Sequence, residues 1–292
     1  MIHKAGFVNI IGNPNVGKST LMNALVGEKL SIITPKAQTT RHRIMGIVSG
    51  DDYQIVFSDT PGILEPHYKL HESMMKYIDS AFQDADLFIL VTEISENFEN
   101  NNVLEQLNKS KVPVLVLVNK IDLSEQEAVE MLLAEWKKKL SNAEIMPVSA
   151  LHKFNMEKVL DWIIANLPEN PPYYSKEELT DRPQKFFVSE IIREKIFLNY
   201  SQEIPYCTEV EIDTYKEEET IIRIRAIIYV SRDSQKGIII GNKGEALKKV
   251  GTQARIDLEE FLEKKVFLEL FVKVSKDWRN NENQLKKFGY NF

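Results

Sequence analysis

Eight consecutive residues, Gly12-Asn13-Pro14-Asn15-Val16-Gly17-Lys18-Ser19, satisfy the spacing G-x-x-x-x-G-K-[ST] at every fixed position. Such a run holds phosphate. Its backbone N–H groups converge on an anion at a helix N-terminus, and Gly12 and Gly17 allow the backbone to approach closely. Lys18 is placed to reach β- and γ-phosphates, and the Ser19 hydroxyl to ligate Mg2+. The apolar run at 7–11 reads as a buried strand before the loop. Residues 18–26, from Lys18 through Thr20 to Val26, read as a helix, with Gly27 as its stop.

Three further runs could complete a nucleotide site. Asp59-Thr60-Pro61-Gly62 follows a buried strand, forty residues after Ser19. An aspartate there is placed to hold Mg2+ through water, and the Gly62 amide to meet a γ-phosphate. Asn119-Lys120-Ile121-Asp122 follows another strand. A carboxylate accepts both the N1–H and the exocyclic amine of guanine, a donor pair that adenine lacks, so Asp122 argues for guanine. Asn119 braces the pocket, and the Lys120 stem lies along the base. Ser149 and Ala150 offer backbone N–H groups to the guanine O6. In the polar connection at 28–40, Thr40, with Thr39 as the alternate, is placed to complete the metal shell and close over the γ-phosphate.

The elements that must position these runs alternate. Strand patterns fall at 5–11, 41–49, 53–58, 86–92, 112–118 and 144–148; helical patterns fall at 18–26, 69–82, 100–109, 125–140 and 154–166. This predicts an α/β domain with a mostly parallel sheet and helices on both faces. Every motif then sits at the carboxyl end of a strand, where ligands bind in such sheets.

Composition bounds the rest. A chain of 292 residues suggests two domains. The apolar share of 43% and charged share of 27% are those of an ordinary globular protein. The longest strongly apolar run, 112–118, is far too short for a transmembrane segment, and no signal peptide is expected because His3 and Lys4 lead directly into a strand. One cysteine, Cys207, excludes an internal disulfide framework and suits a reducing cytoplasm. The net charge of −6 is uneven: from residue 183 onward 19 basic residues meet 18 acidic ones, so the deficit lies in the first part of the chain.

Residues 169–183, rich in proline and charge, read as a semi-rigid linker between a first domain at 1–168 and a second at 184–292. Beyond it come a helical pattern at 187–198, strand patterns at 210–215 and 220–230, and the run Gly237-Ile238-Ile239-Ile240-Gly241-Asn242-Lys243-Gly244. A helix over 245–264 and a strand over 267–274 follow. The segment 277–292 carries Trp278, Arg279, Lys286, Lys287, Phe288 and Tyr290. An RNA contact and a capping helix packed by Trp278 and Leu285 are both compatible with it.

The nucleotide motifs, in this order and spacing, resemble the P-loop GTPases. The forms GNPNVGKS, QTTR and DTPG resemble the bacterial Era-like group, and the second half, built around G-x-x-G, is similar to a smaller α+β type II KH domain. The resemblance covers essentially the whole chain. It implies a Mg2+-dependent GTPase cycling between GTP and GDP, which binds single-stranded rRNA near the 3′ end of small-subunit ribosomal RNA and assists 30S subunit assembly. It further implies a cytoplasmic location with peripheral contact at the inner face of the cell membrane. In the KH loop, Gly241, Asn242, Lys243 and Gly244 would join two helices and clamp about four nucleotides. Gly237 and Ile240, with the neighbouring isoleucines, would floor the bases, and Lys248 and Lys249 would add charge. Two departures from the small signalling GTPases stand out. Ile63 occupies the place of a water-orienting glutamine, which implies slow intrinsic turnover resting on Mg2+, Lys18 and backbone groups. Asn15 replaces a small residue, and in some relatives such an asparagine helps bind K+. Two other readings stay open: a tRNA-modifying GTPase, which should carry a C-terminal cysteine where this chain reads Gly-Tyr-Asn-Phe, and an RNA chaperone that keeps GTP as a structural ligand.

Overall fold

The computed structural model describes residues 3–290; Asn291 and Phe292, the end of the 277–292 segment, lie outside them. The chain divides into two compact units. The first comprises residues up to Ile33, Thr40–Glu65 and Met74–Asp181; the second comprises Thr34–Thr39, Pro66–Ser73 and the chain from Arg182 onward.

The first unit contains β1 (Lys4–Ile11), α1 (Lys18–Val26), β2 (Ile44–Ser49), β3 (Tyr53–Asp59) and most of α2 (Lys69–Asp84). It continues with β4 (Leu87–Glu93), α3 (Asn101–Lys109), β5 (Val114–Asn119), α4 (Gln126–Lys139), β6 (Glu144–Pro147) and α5 (Met156–Asn166). The sheet order is β2-β3-β1-β4-β5-β6, with only β2 antiparallel to its neighbour. Central strands are buried along nearly their whole length, as parallel strands covered on both faces must be. On one face Phe88, Leu90, Val116 and Val118 pack with Val103 and Leu107 of α3 and Trp136 of α4. Leu21, Met22 and Leu25 of α1 and Val159 and Ile163 of α5 are buried as well.

The strand expected over 41–49 begins at Ile44. Just before it, the buried Arg43 guanidinium donates to Ser58 Oγ (2.6 Å), Asn9 Oδ1 (3.0 Å) and the Asp84 carboxylate (2.7 and 2.9 Å). Residues after α5, expected as a linker, lie along the sheet. Ala5 N donates to Pro168 O (3.1 Å) and Ile47 N to Leu179 O (2.8 Å). The buried Gln54 side chain donates to Tyr174 O (2.9 Å) and accepts from the amides of Tyr173 (2.7 Å) and Tyr174 (2.9 Å).

The second unit contains α6 (Gln184–Asn199), β7 (Glu209–Glu217), β8 (Ile221–Val230), α7 (Asp233–Ile240), α8 (Glu245–Phe261), β9 (Lys265–Val274) and α9 (Glu282–Lys287). The sheet order is β7-β8-β9, with β7 antiparallel and β9 parallel to β8. Strand residues alternate. Ile222, Ile224, Ala226 and Ile228 of β8 pack with Val188, Ile192 and Ile196 of α6 and Val250, Ala254 and Leu258 of α8. The 277–292 segment packs: Trp278, Leu285 and Tyr290 are buried, Trp278 Nε1 donates to Cys207 O (3.0 Å), and Tyr290 donates to Glu209 Oε2 (2.7 Å).

Candidate nucleotide and nucleic-acid sites

The phosphate loop joins β1 to α1 and carries three residues with positive φ, the first of them Gly12 at +149°. Asn15 adopts φ +67°, exposed at the tip, and Gly17 adopts φ +99°. A Cβ on Gly17 would lie 2.2 Å from Asn119 Nδ2, so glycine is required for approach as well as for conformation. That same Asn119 amide donates to Val16 O (2.8 Å) and accepts from Ala150 N (3.0 Å). One buried side chain thus ties together the phosphate loop, the loop after β5 and the loop after β6.

Lys18 is buried with its ammonium on Gly12 O (3.1 Å) and Asn13 O (2.8 Å). Burial pulls it down to about 8, opposed by the Asp59 and Glu96 carboxylates. An ammonium held in so dry a place favours an anionic partner. Ser19, in the first turn of α1, donates to Asp59 Oδ2 (2.7 Å) and accepts from Thr40 Oγ1 (2.8 Å). Thr39 turns elsewhere, to Thr34 Oγ1 (2.6 Å) and Lys36 O (2.7 Å). Asp59 is fully buried, its Oδ1 has no hydrogen-bond partner, and burial pushes its carboxyl up, opposed by the Ser19 hydroxyl and the Lys18 ammonium. Three hard oxygen donors around an orphaned, buried carboxylate oxygen fit a small divalent cation such as Mg2+.

At the end of β3, Thr60 donates to Ile10 O (2.7 Å) and Pro61 is buried. Gly62 presses on Pro14, which a Cβ would meet at 2.7 Å. Ile63 N donates to Gly12 O (3.1 Å), while the Ile63 side chain packs against the apolar cluster of α3 and α4. Asp122 accepts from Ser149 Oγ (2.5 Å), which fixes one carboxylate oxygen beside Ala150. Lys120 donates to Asn15 O (2.7 Å) and pairs with Glu93. Gly12, Asn13, Pro14, Asn15, Val16, Thr20 and the later motif residues therefore line one end of one sheet.

Two acids, Glu93 at the end of β4 and Glu96 in the loop after it, escaped the sequence reading. Glu93 pairs with Lys120. Glu96 accepts from Asn13 Nδ2 and, at 2.7 Å, from Thr92 Oγ1, so it braces the phosphate loop. Their one sequence signal is position, at and just past the carboxyl end of β4; nothing in their type separates them from other surface acids.

In the second unit, Gly241, Asn242, Lys243 and Gly244 form the turn between α7 and α8. Gly241 adopts φ +70°, and a Cβ there would lie 2.6 Å from Ala246 Cβ. Lys243, Lys248 and Lys249 are exposed. Beside the turn lies a groove of about 370 Å³, floored by Leu247, Leu268 and Leu270 and flanked by Gly244, Lys248 and Arg255. The isoleucine run does not supply that floor. Ile239 is fully buried in the core, Ile238 is half-exposed, and Gly237 sits mid-helix with open space around it. The helical period of α7 sends these neighbours to different faces.

Comparison with known proteins places both halves. The family described as 50S ribosome-binding GTPase matches residues 7–120, and the KH domain family matches residues 203–279. GTPase Era of Staphylococcus haemolyticus is 45% identical over 291 residues, 99% of this chain and 97% of that one. GTPase Era of Clostridium kluyveri is 45% identical over 290 residues, 98% and 99% of the two chains. The chain belongs to the Era family of GTPases. Two solved Era structures share its fold at TM-score 0.93 and 38% identity, each covering 99% of this chain and all of the relative. One holds MgGDPNP and nucleotides 1506–1542 of 16S ribosomal RNA; the other is an Aquifex aeolicus Era variant bound to GDP and AlF4−. The loops at Gly12–Ser19, Asp59–Gly62 and Asn119–Asp122 are thus an Era-family G domain, and the turn at 241–244 lies in its KH domain.

Proposed function

We propose that this chain hydrolyses GTP by in-line attack of water and, in its GTP form, holds single-stranded RNA near the 3′ end of small-subunit rRNA, assisting 30S assembly. One observation carries the reading: a chain with a complete guanine-nucleotide loop set matches, over 99% of its length, a relative solved with both MgGDPNP and a 16S rRNA segment. Ser19 and Thr40 would hold Mg2+ directly and Asp59 through water, and the bound ion would supply charge neutralisation at the β- and γ-phosphate oxygens. Lys18 would exchange its carbonyl partners for phosphate oxygens. The phosphate-loop amides and Gly62 N–H would stabilise the developing charge, and Asp122 with the Ser149–Ala150 backbone would read guanine. Ile63 offers water nothing, so intrinsic turnover is slow. Asn15, exposed at the loop tip, is the residue through which K+ would assist. RNA phosphates would meet the Gly241–Gly244 turn and its lysines, with bases against Leu247, Leu268 and Leu270.

Among the described residues no helix is long and apolar enough to cross a membrane. The reading places the protein in the cytoplasm with a peripheral contact at the membrane's inner face, which vesicle co-sedimentation tests. The deciding experiment measures a labelled 3′-terminal small-subunit rRNA segment against a scrambled strand, with GTP analogue, GDP and no nucleotide. Selective binding favoured by the analogue is expected. Selective binding indifferent to nucleotide removes the gating, and absence of selective binding removes the rRNA assignment.

A further inference from the structure

The helices α6 and α8 pack on one face of the three-stranded sheet, with the RNA groove at that face. The opposite face has a different character. Its residues are Arg223, Arg225, Ile227 and Tyr229 of β8 and, in register, Phe267, Glu269, Phe271 and Lys273 of β9. At one end α9 covers it: the Phe288 ring lies 5.0 Å from the Tyr229 ring, and Tyr229 is buried. The rest is open. Phe267 is 45% and Phe271 49% exposed, and each carries a guanidinium above its ring, Arg223 at 5.2 Å and Arg225 at 5.5 Å.

We propose that this open sheet face is a second contact for single-stranded RNA, on which bases stack with little regard to sequence. A guanidinium lying on a phenyl ring still has a free face, and both planes accept a base. Phe267 and Phe271 stand about 13 Å apart at ~3.3 Å per residue, so the two Arg–Phe pairs form separate stacking positions along one strand. Charge on the open part favours a polyanion: Arg223, Arg225, Lys265 and, opposite Arg223 on β7, Lys216 stand there with Glu218 and Glu269, whereas Glu209 and Glu211 lie at the covered end, engaged by Tyr290 and by Tyr229 and Lys287, and the pairs Arg223–Glu218 (3.2 Å) and Arg225–Glu269 (3.6 Å) are exposed and easily exchanged. Two large rings left in water on one small face are costly unless a partner covers them. A protein partner would want an apolar centre with cations at its rim, whereas here cations sit on the rings themselves.

The inference rests on the RNA-binding reading above but concerns a different face of the sheet. The test uses the full chain and two labelled RNAs from the 3′ end of small-subunit rRNA: one of about five nucleotides, the size of the loop clamp, and one of about twenty containing it. Phe267→Ala/Phe271→Ala, and separately Arg223→Gln/Arg225→Gln, should each weaken the long RNA roughly a hundredfold and leave the short one unchanged, since each removes two stacking positions and stacking on one contributes about tenfold. The arginine pair keeps the test valid if the ring-less variant folds poorly. Photocrosslinks from the long RNA should map to residues 221–227 and 265–273. Equal affinity of both variants for the long RNA overturns the proposal while leaving the loop clamp intact. Unchanged RNA binding with weakened docking to small ribosomal subunits also overturns it, and points to a protein partner. Failure of the unsubstituted protein to bind either RNA removes the RNA-binding reading itself.

Discussion

Asp122 and Gly17 concentrate the residue-scale argument. Asp122 is held by Ser149 at Oδ1, while Oδ2 faces the exposed His152 at 3.7 Å and would turn to the base, so Asp122→Asn should lower GTP affinity about 100-fold, from a charge-assisted bond worth up to ~3 kcal/mol, and raise preference for xanthine nucleotides. Competition between GTP and XTP measures this; unchanged GTP affinity would contradict the base assignment. Gly17 has no tolerated substitute. In Gly17→Ala the methyl group would displace Asn119, strain the backbone and unfasten three loops together, abolishing nucleotide binding in a filter assay while the protein still unfolds cooperatively. These residues were legible in the sequence because their chemistry depends on type and spacing, which motifs record. Glu93, Glu96 and Arg43 were not. Each acts through partners far along the chain, Arg43 reaching Asp84 and Glu96 reaching Asn13, and no local pattern encodes such a pairing.

Among elements, the stretch after α5 departs most from its sequence appearance. Prolines and charges without periodicity suggest a spacer, yet Gln54 binds it through both ends of one buried amide. Gln54→Leu would strip partners from two amides and a carbonyl. It should cost about 3 kcal/mol, lower the melting temperature by roughly 6–12 °C, and open 170–176 to limited proteolysis. A melt unchanged within 2 °C, to take about one third of that shift, would mean solvent replaces these bonds freely. The alternating strands and helices of the first unit were readable from periodicity, with ends displaced by a residue or two and by three at the start of β2. The helix α7 followed from the family resemblance, in which the loop joins two helices, and not from composition: three consecutive isoleucines suit strands, and here Ile239 is buried in the core of the second unit.

For the whole molecule, the uneven charge predicts a modest electrostatic grip. The net negative charge lies in the first part of the chain, and the exposed lysines at the turn are few. If the clamp neutralises about four phosphates, the slope of log K against log salt should be near −3, and Lys243→Ala should reduce its magnitude by about 0.7. A slope near zero would mean that base contacts alone hold the strand.

The pairing of β1 with Pro168 and Glu169 has a consequence for the nascent chain. The first strand lies mid-sheet, flanked by β3 and β4, and its outer end is closed by residues made some 165 positions later. Once Asp181 is clear of the synthesising machinery, that unit has every strand and loop it needs, while the KH domain still lacks its sheet. Domains fold as units from the N-terminal side during synthesis. A chain made as far as Asp181 therefore carries its whole nucleotide site before the turn at 241–244 has been synthesised.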